Sequence, residues 1–116
     1  MKFRKFTFGS LEIDDVTYEK DVIIDRGKVR KRKKKASRKY RDLFGHTPLS
    51  NEEPIPWNCK RLVIGSGCYG SLPVMDEVKE EARSRDVDLI VLPTDKAIDL
   101  LRDKRGKTNA ILHVTC

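Results

Sequence analysis

No stretch of this sequence approaches the roughly 20 apolar residues that a bilayer-crossing helix needs; its aliphatic runs, such as 89–92 and 110–112, stop after a few positions. A membrane span is therefore not expected. Residues 6–15 hold no apolar core followed by a small-residue cleavage site, so no secretory signal is read and a cytoplasmic location is expected. Cysteine and histidine are equally sparse. Three cysteines, Cys59, Cys68 and Cys116, without regular spacing, and two histidines, His46 and His113, make neither a disulfide framework nor a zinc pattern. Neither a structural metal nor a cofactor is expected. The aromatic strand signature of RNA-binding sheets is also missing.

What the chain has is charge, unevenly placed. Eleven Lys or Arg and no acid fall within residues 26–41, against a net charge of +7, so the remaining residues carry −4. The basic character belongs to one segment, and 116 residues suit a single domain, 1–116.

The first quarter reads as antiparallel ribbon, because Phe6, Phe8, Leu11, Ile13, Val16 and Tyr18 lie in short pieces parted by Gly9-Ser10 and Asp14-Asp15, both turn chemistry. Residues 21–25 supply another strand, and 28–33 return beyond Arg26-Gly27 with long cations on the exposed positions. Between Ser37 and Asn58, Gly45, Pro48, Pro54 and Pro56 break the pattern into a long surface loop with at most a brief helical turn. From Arg61 the periodicity predicts strand 61–66, helix 72–85, strand 87–92, helix 94–104 and strand 108–115. Pro73 would open the first helix, Thr94 would cap the second, and Arg102, Lys104 and Arg105 would suit its end. The expected class is α/β: a mixed central sheet with a βαβαβ C-terminal half, helices packed on it and a small N-terminal antiparallel β layer. Right-handed crossovers would bring the carboxyl ends of these strands to one edge, although a mixed sheet allows the last strand to run either way.

That edge holds the most informative residues. Gly65-Ser66-Gly67-Cys68-Tyr69-Gly70 satisfies G-x-G-x-x-G between a strand and a helix, so its amides would face a common point and receive an anion together with Thr94 and His113. A tight turn needed only for packing explains the same glycines. Roughly 45 residues follow the loop, too few for the two halves of a dinucleotide domain. Cys68, beside a predicted helix start, would have a depressed pKa and offer a nucleophile, and converging strand ends would allow a Cys68–Cys116 disulfide. His113 shares a strand face with Ile111 and Thr115 and serves either as a hydrogen-bonded core residue or as a proton carrier. The basic run offers Arg30, Arg32, Lys34, Ser37 and Arg38 to an acidic partner, and Tyr40 to a stacked base.

In order along the chain, Phe6-Thr7-Phe8-Gly9, Tyr18, Asp21-Val22, Lys34-Lys35-Ala36-Ser37, Ile64-Gly65-Ser66-Gly67, Pro93-Thr94 with Ala97, and residues 110–116 form a familiar succession. It resembles the adipogenesis-associated Mth-type domain family over nearly the whole chain. These are small intracellular proteins that include a mitochondrial NADH dehydrogenase assembly factor and many uncharacterised archaeal and bacterial members. The resemblance implies a mixed-sheet α/β domain with an added β layer and no established reaction, and eukaryotic relatives that look like assembly proteins. The expected function is a non-enzymatic binding or assembly module, monomer or weak homodimer, with an anion site at the Gly-rich loop and a protein or small-anion partner. Its rivals are an enzyme using Cys68 or His113 and an RNA-associated protein working through residues 26–41, without sequence-specific binding.

Overall fold

The computed structural model describes residues 1–103 and 106–116. Its order starts with three short strands, β1 (Phe3–Thr7), β2 (Ser10–Ile13) and β3 (Val16–Tyr18), paired antiparallel in sequence order. Asp14 and Asp15 both take positive φ, the backbone twist that a tight hairpin between β2 and β3 requires. Leu11 and Ile13 alternate with more exposed neighbours and seal this layer onto the rest.

The second sheet contains β4 (Val22–Asp25), β5 (Lys28–Lys31), β6 (Arg61–Ser66), β7 (Asp88–Leu92) and β8 (Thr108–His113), in the order β5-β4-β8-β6-β7. β6 runs parallel to both β7 and β8, while β4 is antiparallel to β8 and to β5. The last strand is thus parallel to β6, and the antiparallel hairpin β4–β5 makes the sheet mixed. Central strands β6 and β8 are covered on both faces, which is why they read as unbroken aliphatic runs rather than as alternation. Val22, Ile24, Val63, Ala110 and Leu112 face helix α3 (Thr94–Leu101) and the small sheet. Ile23, Leu62, Ile64 and Ile111 face helix α2 (Asp76–Ser84), through Val78 and Ala82, and the segment around Leu49 and Ile55.

Four local readings change. Helix α2 starts at Asp76, not at residue 72, because Val74 forms a parallel bridge with Leu49 and the backbones of Leu49, Pro73 and Met75 are cross-bonded. Extended pairing there satisfies groups that a helix would otherwise have bonded. Thr94 is the first residue of α3 rather than its cap, and its hydroxyl is used elsewhere. Helix α3 ends at Leu101, and Arg102 bonds Asp99 and the Phe3 carbonyl; Lys104 and Arg105 lie outside the described residues. Nor is 37–58 simply a surface loop. It carries a 3-10 helix (Lys35–Tyr40) running into a single turn, α1 (Arg41–Phe44), and then buries Leu49, Ser50, Glu53 and Ile55. Among the described residues no helix is long and apolar enough to cross a membrane.

Candidate functional site

The carboxyl ends of β6, β7 and β8 do meet, and the Gly-rich loop lies among them. Its amides, however, point at the chain itself. Gly67 N donates to Thr94 Oγ1 at 2.8 Å, Cys68 N to the Thr115 carbonyl at 2.9 Å, Ser71 N to the Cys116 carbonyl at 3.2 Å and Leu72 N to the Ser66 carbonyl at 2.9 Å. Thr94 Oγ1 in turn donates to the His113 carbonyl at 2.6 Å. Residues 113–116 therefore occupy the hollow in which Gly65, Ser66, Gly67, Cys68, Tyr69 and Gly70 would have met an anion. Gly67 shows how closely: at φ +104°, a Cβ there would lie 2.2 Å from the Thr115 carbonyl oxygen and 3.0 Å from His113 Cδ2. The glycines serve close packing of backbone on backbone.

Cys68 does not become the expected nucleophile. Helix α2 begins eight positions later, and burial, Asp95 and Cys116 push its thiol up rather than down. Its sulfur rests against the Val114 carbonyl, and Cys59, Cys68 and Cys116 are all free thiols.

Beside this loop, on the α2 face of the sheet, lies a buried polar network. Arg32, only 4% exposed, donates from Nε and Nη2 to the two oxygens of Glu53, at 2.8 and 2.9 Å, and from Nη1 to Asp21 Oδ2 at 2.8 Å. Burial opposes its charge, but the two carboxylates outweigh that and hold the guanidinium more firmly protonated. Ser37, fully buried, bonds both Glu53 and the Ser50 hydroxyl, which fastens the 3-10 helix to the network. Arg32 and Ser37, read from sequence as contacts for a partner, are thus interior groups, because two acids distant in the chain fold onto the arginine. Arg30 remains outside, paired with Asp25.

Asp21 links the network to the sheet edge. It accepts the Val114 N–H at 3.0 Å on Oδ1 and lies 2.6 Å from His113 Nδ1 through Oδ2. Burial raises its pKa, yet the His113 hydrogen bond and charge, Arg32 and the Val114 amide together bring it below the ordinary carboxylate value. A carboxylate has no proton to donate, so the shared proton sits on His113 Nδ1, and the other ring nitrogen, Nε2, lies 3.2 Å from Thr115 Oγ1. The folded state then binds fewer protons at Asp21 than the unfolded chain does. Asp21 contributes stability that is complete above the ordinary carboxylate range and lost as pH falls through it toward the lower folded value. Acid titration of unfolding free energy is expected to fall more steeply below about pH 5 for the native protein than for a folded Asp21→Asn variant; parallel curves would contradict this.

His113 Nε2, Thr115 and Cys116 open into a cavity of about 600 Å³. Its other wall is cationic: Lys34 precedes the 3-10 helix, Arg38 projects from it, Arg41 starts α1, and His46 follows Gly45, whose φ of +76° ends α1. Among the described residues no Asp or Glu side chain lines this cavity, and Lys34, Arg38 and Arg41 pair with none. Nearby Lys31 is pushed below its ordinary pKa, first by contact with Lys20 and also by the charges of Arg38 and Lys34. Positive charge is crowded here without a paired Asp or Glu side chain among the described residues. His46 Nδ1 lies 3.4 Å from Cys116 Sγ.

Sequence reasoning found His113, Lys34 and Arg38 but not Arg41, His46, Thr115 and Cys116 as one cluster. The i, i+2 relation of His113 and Thr115 was the available signal; nothing local announces Asp21 or Glu53.

The same architecture occurs in solved structures. PH1505 from Pyrococcus horikoshii OT3, described as a conserved hypothetical protein, superposes with a TM-score of 0.85 at 28% identity over 100% of both chains. This chain has its fold. MT938 follows with a TM-score of 0.75 at 27% identity, covering 98% of this chain and 97% of that one. A structure of an outer membrane protein from Bartonella henselae, 12% identical over 98% of this chain and 94% of that one, has a TM-score of 0.64, a likeness of fold alone. No protein-family model and no curated protein matches the chain.

Proposed function

We infer that this chain is a binding module for a small anion bearing a phosphate or carboxylate group, received not by the Gly-rich loop but by the cationic cavity beside it. One observation carries the reading: Lys34, Arg38 and Arg41 line a cavity to which the described residues contribute no Asp or Glu side chain, and none of the three pairs with one among those residues. Charges of one sign held together in a concave site raise the local potential, and an anion relieves their mutual repulsion. The 3-10 helix, anchored inside by Ser37 on Glu53 and Arg32, keeps Arg38 in place before any ligand arrives. Sequence resemblance to the Mth-type domain family supports a cytoplasmic module of this sort, in which the same cations would serve for an acidic patch on a partner protein.

RNA fits the surface less well. Of the basic run, Arg32 is interior, Arg30 pairs with Asp25, Lys39 with Glu52, and the Tyr40 hydroxyl also bonds Glu52. The aromatic platform is thereby tethered at its edge.

Inorganic phosphate is the probe. Thermal melts at constant ionic strength, with chloride as control, are expected to show saturable stabilisation, on the order of 2.7 kcal/mol at a hundredfold excess over Kd. For a chain of this size that is a Tm rise of roughly 10 °C. A Lys34→Ala, Arg38→Ala double variant is expected to lose it. Phosphate and chloride melts that coincide would overturn the reading, and tRNA displacing phosphate at physiological salt would favour the RNA reading instead.

A further inference from the structure

The polar groups on the floor of the cavity are arranged for more than binding. Asp21 Oδ2, His113 Nδ1, His113 Nε2 and Thr115 Oγ1 form a continuous relay, with links of 2.6 and 3.2 Å. The order is acceptor, imidazole, hydroxyl, which is the arrangement that turns a neutral alcohol into a nucleophile: the carboxylate fixes the tautomer and the free imidazole nitrogen faces the hydroxyl proton. Two of the three members are buried and held by further bonds, Asp21 by Arg32 and the Val114 amide, and His113 by its place on β8 between β4 and β6. The third, Thr115, is half-buried and opens to the cavity. Gly67 packs its bare Cα against this same stretch of backbone, so the loop sets the height of the hydroxyl. The neighbouring thiol of Cys116 lies 3.7 Å from Thr115 Oγ1, a weak contact beside the imidazole link.

We propose that Thr115 is the nucleophile of an acyl-transfer site for esters that carry a negatively charged group, with His113 as general base and Asp21 as a positioning residue. Thr115 Oγ1 attacks the ester carbonyl carbon while its proton passes to His113 Nε2. The C–O bond to the leaving alcohol breaks, and His113 returns the proton to that oxygen. Water then attacks the acyl-threonine, giving its proton to His113, and the Thr115 hydroxyl is restored as the acid departs. Lys34 and Arg38 hold the substrate anion and oppose the negative charge that develops on the carbonyl oxygen. No redox partner is needed. The step rests on the anion pocket proposed above, but it fails separately.

The test uses the full chain and a fluorophosphonate, which reports activated hydroxyls by forming an O–P bond and expelling fluoride. Peptide mapping is expected to place one adduct on Thr115, retained in Thr115→Ser, absent in Thr115→Val, and slowed at least tenfold in His113→Gln protein that is folded by circular dichroism. Asp21→Asn is expected to slow labelling while leaving phosphate affinity unchanged; loss of both together would remove Asp21 from the relay. Phosphate is expected to protect Thr115. Phosphate binding without any Thr115 adduct, or labelling at the native rate in His113→Gln, would overturn the nucleophile and leave the anion pocket standing. Labelling that phosphate does not slow would instead keep the nucleophile and remove the pocket.

Discussion

Arg32→Met is expected to destabilise the protein by about 3–5 kcal/mol, the cost of stranding buried carboxylates without their counter-charge. The side chain removed makes four hydrogen bonds, two to Glu53, one to Asp21 and one to the Pro48 carbonyl, and is almost wholly enclosed. Methionine fills much of the volume and satisfies none of those acceptors. Against a total of roughly 5–15 kcal/mol for a domain of this length, the loss would take about a fifth or more of the stability. Lysine is not a conservative rescue, because one ammonium cannot reach both Glu53 oxygens and Asp21 in the plane that the guanidinium fork spans. The deficit has a characteristic pH dependence. Arg32 helps to hold Asp21 below the ordinary carboxylate value, so without it less stability is lost to acid and the gap between native and variant narrows as pH falls through the carboxylate range. Urea unfolding at neutral and at acid pH reads both effects. A gap under about 1 kcal/mol at neutral pH would show that water, rather than Arg32, solvates these acids.

A second large loss is expected from Gly67→Ala. Two penalties combine there. A non-glycine residue at φ +104° costs on the order of 1–3 kcal/mol. The added methyl would lie 2.2 Å from the Thr115 carbonyl oxygen, a backbone atom that no rotamer change can move, and overpacking of that kind costs about 1–3 kcal/mol more. A combined loss of about 2–6 kcal/mol is expected, together with loss of phosphate stabilisation, because residues 113–116 must shift to admit the methyl. Gly27→Ala is the control. It also has positive φ, +80°, but among the described residues nothing lies within 4 Å of its Cβ position, so only the conformational cost applies. Equal effects at the two glycines would mean that the C-terminal segment is not seated on the loop.

These two positions show where reading the sequence succeeded and where it stopped. The convergence of the loop and Thr94 was legible, because right-handed crossovers between successive strands leave little choice of edge, whereas the direction of the last strand was open and only its parallel pairing with β6 brings its end there. What filled the convergence was not. A G-x-G-x-x-G pattern announces that backbone must approach something closely, and the same glycines accommodate a phosphate or another strand of the chain; here they accommodate residues 113–116. Arg32 was misread for a related reason. Inside a run of cations it looked like its neighbours, and only Glu53 and Asp21, 21 and 11 positions away, distinguish it.

Much of the architecture is already in the local pattern. Runs of β-branched and aliphatic residues covered on both faces, helical stripes at Val78 and Ala82, and turn chemistry at Asp14-Asp15 each depend on neighbours within a few positions, so strand and helix identities follow from the order of residues alone. The cavity does not. Its cations come from residues 34–46 and its relay from Asp21, His113 and Thr115, groups up to 92 positions apart for a single hydrogen bond. Pairing at that range is decided by which buried charge can find a partner once the sheet has closed, and only the folded arrangement of β4, β8 and the 3-10 helix brings those partners together.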